Sequence, residues 1–280
     1  MGNSRNQGKV ILAAAGPGDA ELVTVKTARY LQEADVVLTD RLVNKEIINR
    51  YCKKNVQIIE VGKQAGKFGS MPQATINNLM AQYADKGNLV VRLKGGDVSV
   101  FSNVLDELET LTNKGIAYEI VPGVTAALGA AAYAGIPLTA RGYASGVRLL
   151  TFNNPALITE SEWKAWATTT DTLVFYMSTQ TLSVLAEKLF QAGMPAEKPL
   201  AIIEQATTPV QQVKIASVAH YLQVGKNADY ISPTLVIIGE VVKLHPRFKW
   251  FEGGIGQTEF FAPVEENLSD KILNTHAAFE

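Results

Sequence analysis

The stretch Val10-Ile11-Leu12-Ala13-Ala14-Ala15 runs straight into Gly16-Pro17-Gly18-Asp19. A short, unbroken apolar run closed by a glycine turn is the pattern of a strand covered on both faces. The pattern returns where Leu89-Val90-Val91-Arg92-Leu93 meets Lys94-Gly95-Gly96-Asp97. Each turn ends in an aspartate and stands at the carboxyl end of an expected strand. Ligands of open parallel sheets bind just beyond those ends. Two such turns in one half of the chain point to one ligand held from two sides.

Working outward, Val36-Thr39, Val56-Val61 and Tyr118-Val121 read as further strands. Between the first two strands, Leu22, Val25, Ala28, Leu31 and Ala34 are expected on one helix face, and Ile76, Leu79, Met80 and Tyr83 mark another helix ending near Gly87. This β-α-β-α rhythm predicts a mostly parallel sheet covered by helices. A small-residue helix follows over Thr125 to Ala134. The stretch from Gly135 to Tyr143 has no clear period and reads as a linker. Beyond it, Val147-Thr151, Thr172-Tyr176, Leu200-Glu204, Val213-Ser217 and Thr234-Val242 read as strands, with a helix closing at Gly193. Their shorter connections predict a mixed sheet. The expected organisation is an α/β domain over 9–137, a second α/β domain over 146–243 and an irregular tail over 244–280.

With 47% hydrophobic and 19% charged residues, the 280-residue chain can build a sizeable core. A net charge of -1 offers no global attraction to nucleic acid or an acidic membrane. No stretch approaches the ~20 apolar residues of a membrane helix, and the polar start shows no signal peptide. Met1-Gly2 opens like a myristoylation signal, but Asn6 stands where Ser or Thr is needed. The single cysteine, Cys52, excludes an internal disulfide and a cysteine-rich zinc site, and fits a cytoplasmic protein. Lys53 and Lys54 could lower its pKa, the alternative being an incidental thiol. His220, His245 and His276 lack ligand spacing.

Each motif has two readings. Gly16-Pro17-Gly18-Asp19 lets backbone approach a ligand, or is a tight strand-to-helix turn with Asp19 at a helix start. It is not a dinucleotide fingerprint, because Glu21 occupies the third glycine position. The Asp97 carboxylate could accept hydrogen bonds from ligand hydroxyls or an amino group, and no Walker A pattern follows it. Asp40-Arg41 closes the second strand, either as a base beside an anion-holding arginine or as a surface ion pair. Gly62-Lys63 closes the third. Polar or glycine residues at four adjoining strand ends together favour a functional edge.

These pieces, taken in order, resemble the tetrapyrrole methylases, and within them the single-activity enzymes that methylate uroporphyrinogen III. The matching segments are AGPGDAELVTVK (Ala15 to Lys26), ADVVLTDRLV (Ala34 to Val43), VGK (Val61 to Lys63), RLKGGD (Arg92 to Asp97), VPGVTAA (Val121 to Ala127) and AYAGIPLT (Ala132 to Thr139). RGYASGV (Arg141 to Val147), TLVFYM (Thr172 to Met177) and EQATTP (Glu204 to Pro209) follow. Their order and spacing are specific, from about Lys9 to Phe251.

The resemblance implies two α/β domains, a homodimer, and S-adenosylmethionine bound in the cleft between the domains. It assigns the cofactor to Pro17, Gly95, Gly96, Asp97, Val100, Thr125, Ala126, Met177 and Ala206. It assigns proton transfer to Asp40 and Lys63. The implied reaction methylates uroporphyrinogen III twice at carbon, giving precorrin-2 for sirohaem or cobalamin synthesis. Arg41 and Arg141, with Lys63 and Arg148, are the cations expected to meet the substrate's carboxylates. The chain begins almost at its first motif, which fits an enzyme without the dehydrogenase–ferrochelatase module of sirohaem synthases. No metal and no nucleic-acid partner are implied.

The chain departs from the family after Asp97. Where the family runs Pro-Phe-(Val/Ile)-Phe-Gly-Arg-Gly-Gly-Glu-Glu, Val98 to Glu107 read VSVFSNVLDE, with Asn103 at the arginine position. Thr139-Ala140-Arg141 stands for Thr-His-Arg, and Thr151-Phe152-Asn153 for Thr-Gly-His. Asparagine cannot replace an arginine's charge. Either other cations serve the same substrate, or a different tetrapyrrole, or none, is methylated.

Overall fold

A computed structural model describes residues 8–62, 71–152, 154–178, 181–225, 230–254 and 259–261. These form two compact units, one running to Val124 and including Phe261, the other Thr125–Phe260. The division falls at Val124, ahead of the small-residue helix, rather than near Pro137.

In the first unit, β1 (Lys9–Ala14), α1 (Val25–Glu33), β2 (Val36–Thr39), α2 (Lys45–Tyr51), β3 (Gln57–Glu60), α3 (Gln73–Asp85), β4 (Leu89–Lys94), α4 (Leu105–Asn113) and β5 (Ala117–Val121) follow one another. The sheet order is β3-β2-β4-β1-β5, and every pairing is parallel. All five carboxyl ends therefore share one edge. Strand alternation splits the core in two. Val10, Leu12, Ala14, Leu38 and Val90 pack with Ile76 and Met80 of α3 and Leu111 of α4. Ile11, Ala13, Val37, Val91 and Leu93 pack with Tyr30 and Leu31 of α1 and Ile47 of α2.

The expected face of α1 needs correction. Leu31 and Ala34 are buried, but Val25 is 88% exposed, and Thr27 and Tyr30 are buried instead. A strict three-residue spacing falls about 60° short of a full turn at each step. Val25 thereby drifts off the face that Leu31 occupies.

The second unit starts with α5 (Ala126–Tyr133) and continues through β6 (Val147–Thr151), α6 (Glu160–Ala167), β7 (Thr172–Tyr176), α7 (Leu182–Gln191), β8 (Pro199–Glu204) and β9 (Gln212–Ser217). Then come α8 (Val218–His220), β10 (Thr234–Ile238) and α9 (His245–Phe248). The sheet order is β6-β7-β10-β8-β9. Only β6 and β7 pair in parallel, so this sheet is mixed. One face packs Phe152, Trp163, Trp166 and Phe175 with α7. The other packs Ala127, Ala130, Ala131 and Ala134 against Val174, Ala201 and Ile237. That small-residue seam is why α5 belongs to this unit.

The strand expected over Thr234-Val242 ends at Ile238, and Glu240–Leu244 turns into a 3₁₀ helix. The segment after Leu244 is ordered where it is described. Trp250 Nε1 donates to the Ala132 carbonyl at 2.8 Å, His245 Nδ1 lies 2.6 Å from the Ala134 carbonyl, and the Trp250 and Phe251 rings pack on Tyr133. The aperiodic sequence there reflects contacts made to α5 instead of a repeating element.

Candidate functional site

In the first unit the two aspartate-closed turns are joined. Gly16 donates its N–H to the Gly96 carbonyl at 3.1 Å, and Gly96 returns the bond to Gly16 at 2.7 Å. Both sit in the left-handed region, at φ +77° and +70°, where a side chain is strained. A Cβ on Gly95 would come within 3.2 Å of Leu42, so the β1, β2 and β4 loops meet here. Pro17 and Gly18 are buried, and Asn44 Nδ2 holds the Gly18 carbonyl at 2.8 Å. Asp19 accepts the Glu21 N–H at 2.8 Å and so caps a short 3₁₀ helix.

Asp97 points into the protein. Its Oδ2 accepts the Gly123 N–H at 2.8 Å, and its Oδ1 accepts the Ser99 N–H at 2.8 Å and the Ser99 hydroxyl at 2.5 Å. Burial works against the charged form, but the Ser99, Gly123 and Val98 hydrogen bonds outweigh it and hold the carboxyl below its usual range. Asp97 thus latches the β4 loop to the β5 loop and leaves Gly95 and Gly96 part-exposed.

Asp40 has a partner that sequence spacing did not reveal. Its Oδ1 lies 2.5 Å from Arg92 Nη2. Val90, Arg92 and Lys94 alternate onto the α3/α4 side of β4, where Glu107 stands one turn before the buried Leu111. Arg92 Nε meets Glu107 Oε1 at 3.0 Å, and Lys94 Nζ meets Oε1 and Oε2 at 2.9 and 2.8 Å. Burial lowers the pKa of Arg92, but the Asp40 and Glu107 charges and hydrogen bonds more than compensate and hold it above its ordinary value. Burial and the neighbouring Arg92 charge push Lys94 down. The visible signal was a pair of cations two residues apart on an otherwise apolar central strand. Lys63 lies outside the described residues.

In the second unit the Tyr176 hydroxyl lies 2.7 Å from Thr125 Oγ1 and accepts the Ala127 N–H at 2.9 Å. It closes the start of α5, where Thr125 makes no side-chain cap of its own. Met177 follows at φ 54° and is half-exposed. Ala206 is buried between Gln205 at φ 49° and Thr207 at φ 63°. Thr207 N–H donates to Gln211 Oε1 at 2.7 Å, and the Thr208 hydroxyl donates to the Gln205 carbonyl at 2.7 Å. Residues later in the chain reinforce this loop. Gly254 N–H reaches the Pro209 carbonyl at 2.6 Å, Gln212 Nε2 reaches the Gly254 carbonyl at 2.9 Å, and Phe260 N–H reaches Gln205 Oε1 at 2.6 Å.

Among the described residues, the non-glycine positions with positive φ are Phe101, Asn103, Met177, Gln205 and Thr207. Such positions are uncommon and cluster at ligand clamps. All lie in or beside the loops that carry Val100, Met177 and Ala206. Val100 is part-exposed. Asn103 Nδ2 donates to Asp106 Oδ2 at 3.2 Å, so the residue at the position where arginine was expected is tied to the first turn of α4.

The arginines separate. Arg41 is part-exposed beside Asp40. Arg141 is exposed in an open depression of about 520 Å³ lined by Thr139 to Ser145 and Thr170. Arg148 is engaged by Asp171 at 2.8 Å and by Thr169. Cys52 is half-buried and burial pushes its thiol up to about 11, so the adjacent lysines do not activate it. Among the described residues no group of three His, Cys, Asp or Glu could hold a metal, and no helix is long and apolar enough to cross a membrane.

The family model for Tetrapyrrole (Corrin/Porphyrin) Methylases matches residues 9–221. The chain belongs to the tetrapyrrole methylase family. The uroporphyrin-III C-methyltransferase of Thermus thermophilus superposes with a TM-score of 0.73 at 34% identity, covering 89% of this chain and 100% of that one. The same Thermus enzyme complexed with S-adenyl homocysteine superposes with a TM-score of 0.71 at 34% identity, covering 85% of this chain and 100% of that one. The siroheme synthase of Escherichia coli O1:K1 / APEC is 44% identical over 247 residues, 88% of this chain and 53% of that protein. This tetrapyrrole methylase therefore spans about half the length of the curated relatives it matches.

Proposed function

We propose that this tetrapyrrole methylase transfers two methyl groups from S-adenosylmethionine to ring carbons of uroporphyrinogen III, giving precorrin-2. The observation that carries this reading is the similarity to the Thermus uroporphyrin-III C-methyltransferase, which takes in 89% of this chain and the whole of that one and is also known in complex with S-adenyl homocysteine. The residues present fit that cofactor. Gly95 and Gly96 offer part-exposed backbone without side chains, and a Cβ on Gly95 would crowd Leu42 at 3.2 Å. In the first unit Pro17 and Asp97 shape the loops beside Gly95 and Gly96, and Val100 adds an apolar side chain; in the second unit Thr125, Ala126, Met177 and Ala206 are the positions assigned to the same cofactor.

S-adenosylmethionine supplies an electrophilic methyl on sulfonium sulfur and leaves as S-adenosylhomocysteine. A carbon–carbon bond forms as the carbon–sulfur bond breaks, with its electron pair retained by sulfur. The ring then regains neutrality by losing a proton from a bridging carbon. Holding carbon and methyl at near-attack distance is the chain's largest contribution. Asp40 is the base that takes the proton, oriented by Arg92 from behind. Lys63 serves as donor or charge stabiliser, an assignment that rests on the Val61-Gly62-Lys63 motif. Arg41 and Arg141 meet the substrate carboxylates. The working form is a cytoplasmic homodimer in sirohaem or cobalamin synthesis.

Anaerobic incubation with uroporphyrinogen III and labelled S-adenosylmethionine tests the reading. Product mass should rise by two CH2 equivalents, each transferred methyl offset by a lost proton, with the precorrin-2 spectrum, or the sirohydrochlorin spectrum after oxidation. Bound cofactor without methylated product would overturn it and favour the second reading, a paralogue with a changed or lost substrate. The observation behind that alternative is the loop after Asp97, where Asn103 replaces arginine and Phe101 and Leu105 are exposed. Sedimentation of the purified chain tests the dimer.

A further inference from the structure

Behind Asp40 lies a set of charges that the methyl transfer does not touch directly. The side chains of Arg92 and Lys94 are 4% exposed and that of Glu107 is fully buried, whereas Asp40 is 29% exposed. Burying ions costs several kcal/mol each, and well-packed apolar residues often stabilise as well. Stability alone therefore gives little reason to keep them. Their arrangement gives a better one. Arg92 is fixed on every side: Nη2 to Asp40, Nε to Glu107, and Nη1 to the Leu38 and Leu93 carbonyls at 3.4 and 3.3 Å. Lys94 binds both oxygens of Glu107 and acts on Asp40 only through its charge. Two cations and two carboxylates form a neutral chain whose only part-exposed end is Asp40.

We propose that Glu107 and Lys94 are positioning residues that set the proton affinity of Asp40 through Arg92. Glu107 shares the guanidinium's charge with Asp40, so less of it acts on that carboxylate. Lys94 opposes Glu107 and limits the effect. Among the described residues, the charged groups around Asp40 are Arg92 and Lys94 of β4, Glu107 of α4, Arg41 next in the chain, and exposed Glu60, which pairs with Thr39 at the end of β3. The inference rests on Asp40 being the base of the proposed reaction.

The two residues make opposite predictions. Glu107→Gln removes a negative charge, so ionised Asp40 is favoured, its titration midpoint falls and the base weakens. Lys94→Met removes a positive charge and raises the midpoint. Shifts of about one pH unit are expected for charges this close. The test is carboxyl-carbon NMR of protein labelled at aspartate, with Asp40 assigned by loss of its signal in Asp40→Asn, beside pH profiles of kcat.

Downward and upward shifts in the two variants, with S-adenosylmethionine affinity unchanged by calorimetry, support the proposal. The acid limb of kcat should move the same way as the midpoint. An unmoved midpoint, or one moving the same way in both variants, overturns it. Should Glu107→Gln fail to fold, Glu107→Asp keeps the charge at a longer reach and should displace the midpoint downward by less, while Lys94→Met still decides the sign. The NMR readout needs no turnover. Loss of precorrin-2 formation in the unaltered protein would refute the proposed function and leave the charge network separately decided.

Discussion

The hydroxyl of Tyr176 lies 2.7 Å from Thr125 Oγ1 and also receives the Ala127 N–H. One side chain at the end of β7 thus closes the helix start that carries Thr125 and Ala126, and the next residue is Met177. Three cofactor-assigned positions are tied by a single oxygen. Tyr176→Phe keeps the ring and removes the tie. It should cost about 0.5–2 kcal/mol of stability, as loss of a helix cap does, and weaken S-adenosylmethionine binding. Denaturant unfolding and calorimetry read the two effects, and unchanged affinity would contradict the link.

Asp97 should act as a latch rather than a ligand-facing acid. Asp97→Asn leaves an amide in place of one accepting oxygen, so either Gly123 or Ser99 loses its partner. Hydrogen bonds to charged groups are worth about 1.5–3 kcal/mol, and the variant should lose stability on that order. The pH dependence follows from the lowered carboxyl value. A depressed folded value means that the stabilisation is present above the ordinary carboxylate range and is lost as pH falls through the folded value. The difference in melting temperature between Asp97→Asn and the parent should be full near neutrality and shrink in acid.

The mutual bonds of Gly16 and Gly96 leave little room for substitution. Gly96→Ala places a Cβ on a residue at φ +70°, costing roughly 1–2 kcal/mol. The loss should appear in denaturant midpoints, and it should lower cofactor affinity because the β1 and β4 turns move together. Gly115→Ala provides the control. Its φ is similar, at +65°, but nothing lies within 4 Å of the added carbon and the site is remote from the turns. Stability should fall there without any change in binding.

Arg141 and Arg148 should behave differently although both were expected to meet carboxylates. Arg148 is already engaged by Asp171 and Thr169, whereas Arg141 is exposed in an open depression. Arg141→Ala should raise KM for uroporphyrinogen III about tenfold or more, as loss of one charged contact can. Arg148→Ala should leave KM nearly unchanged and cost at most about 1 kcal/mol of stability. Steady-state kinetics of the two variants decide between these roles.

Strands and turns were legible because their signals are local. Buried parallel strands read as apolar runs, and the glycine turns follow them directly. The network behind Asp40 was not legible in the same way. Arg92 and Glu107 come together only once β4 and α4 pack, and the neighbouring Arg41 offered a nearer partner in sequence. Val25 was misplaced because a regular spacing of three resembles a helical stripe while drifting around the axis. The end of β10 was overrun because apolar Val241 and Val242 suit a strand as well as the buried 3₁₀ turn they form. Trp250 and Phe251 carry no periodic signal, since their partner, Tyr133, lies far away in the chain.

The loop around Ala206 is braced by main-chain groups of Gly254 and Phe260, beyond the stretch the family model matches. A peptide group offers the same donor and acceptor whatever side chain it carries. The brace at Gly254 and Phe260 therefore depends on where the backbone runs more than on the side chains at those two positions. Gly253 is the exception, because a Cβ there would strike the Gln211 backbone. A side chain forced in at Gly253 would shift the adjoining Gly254 off the Pro209 carbonyl and loosen a loop remote in sequence.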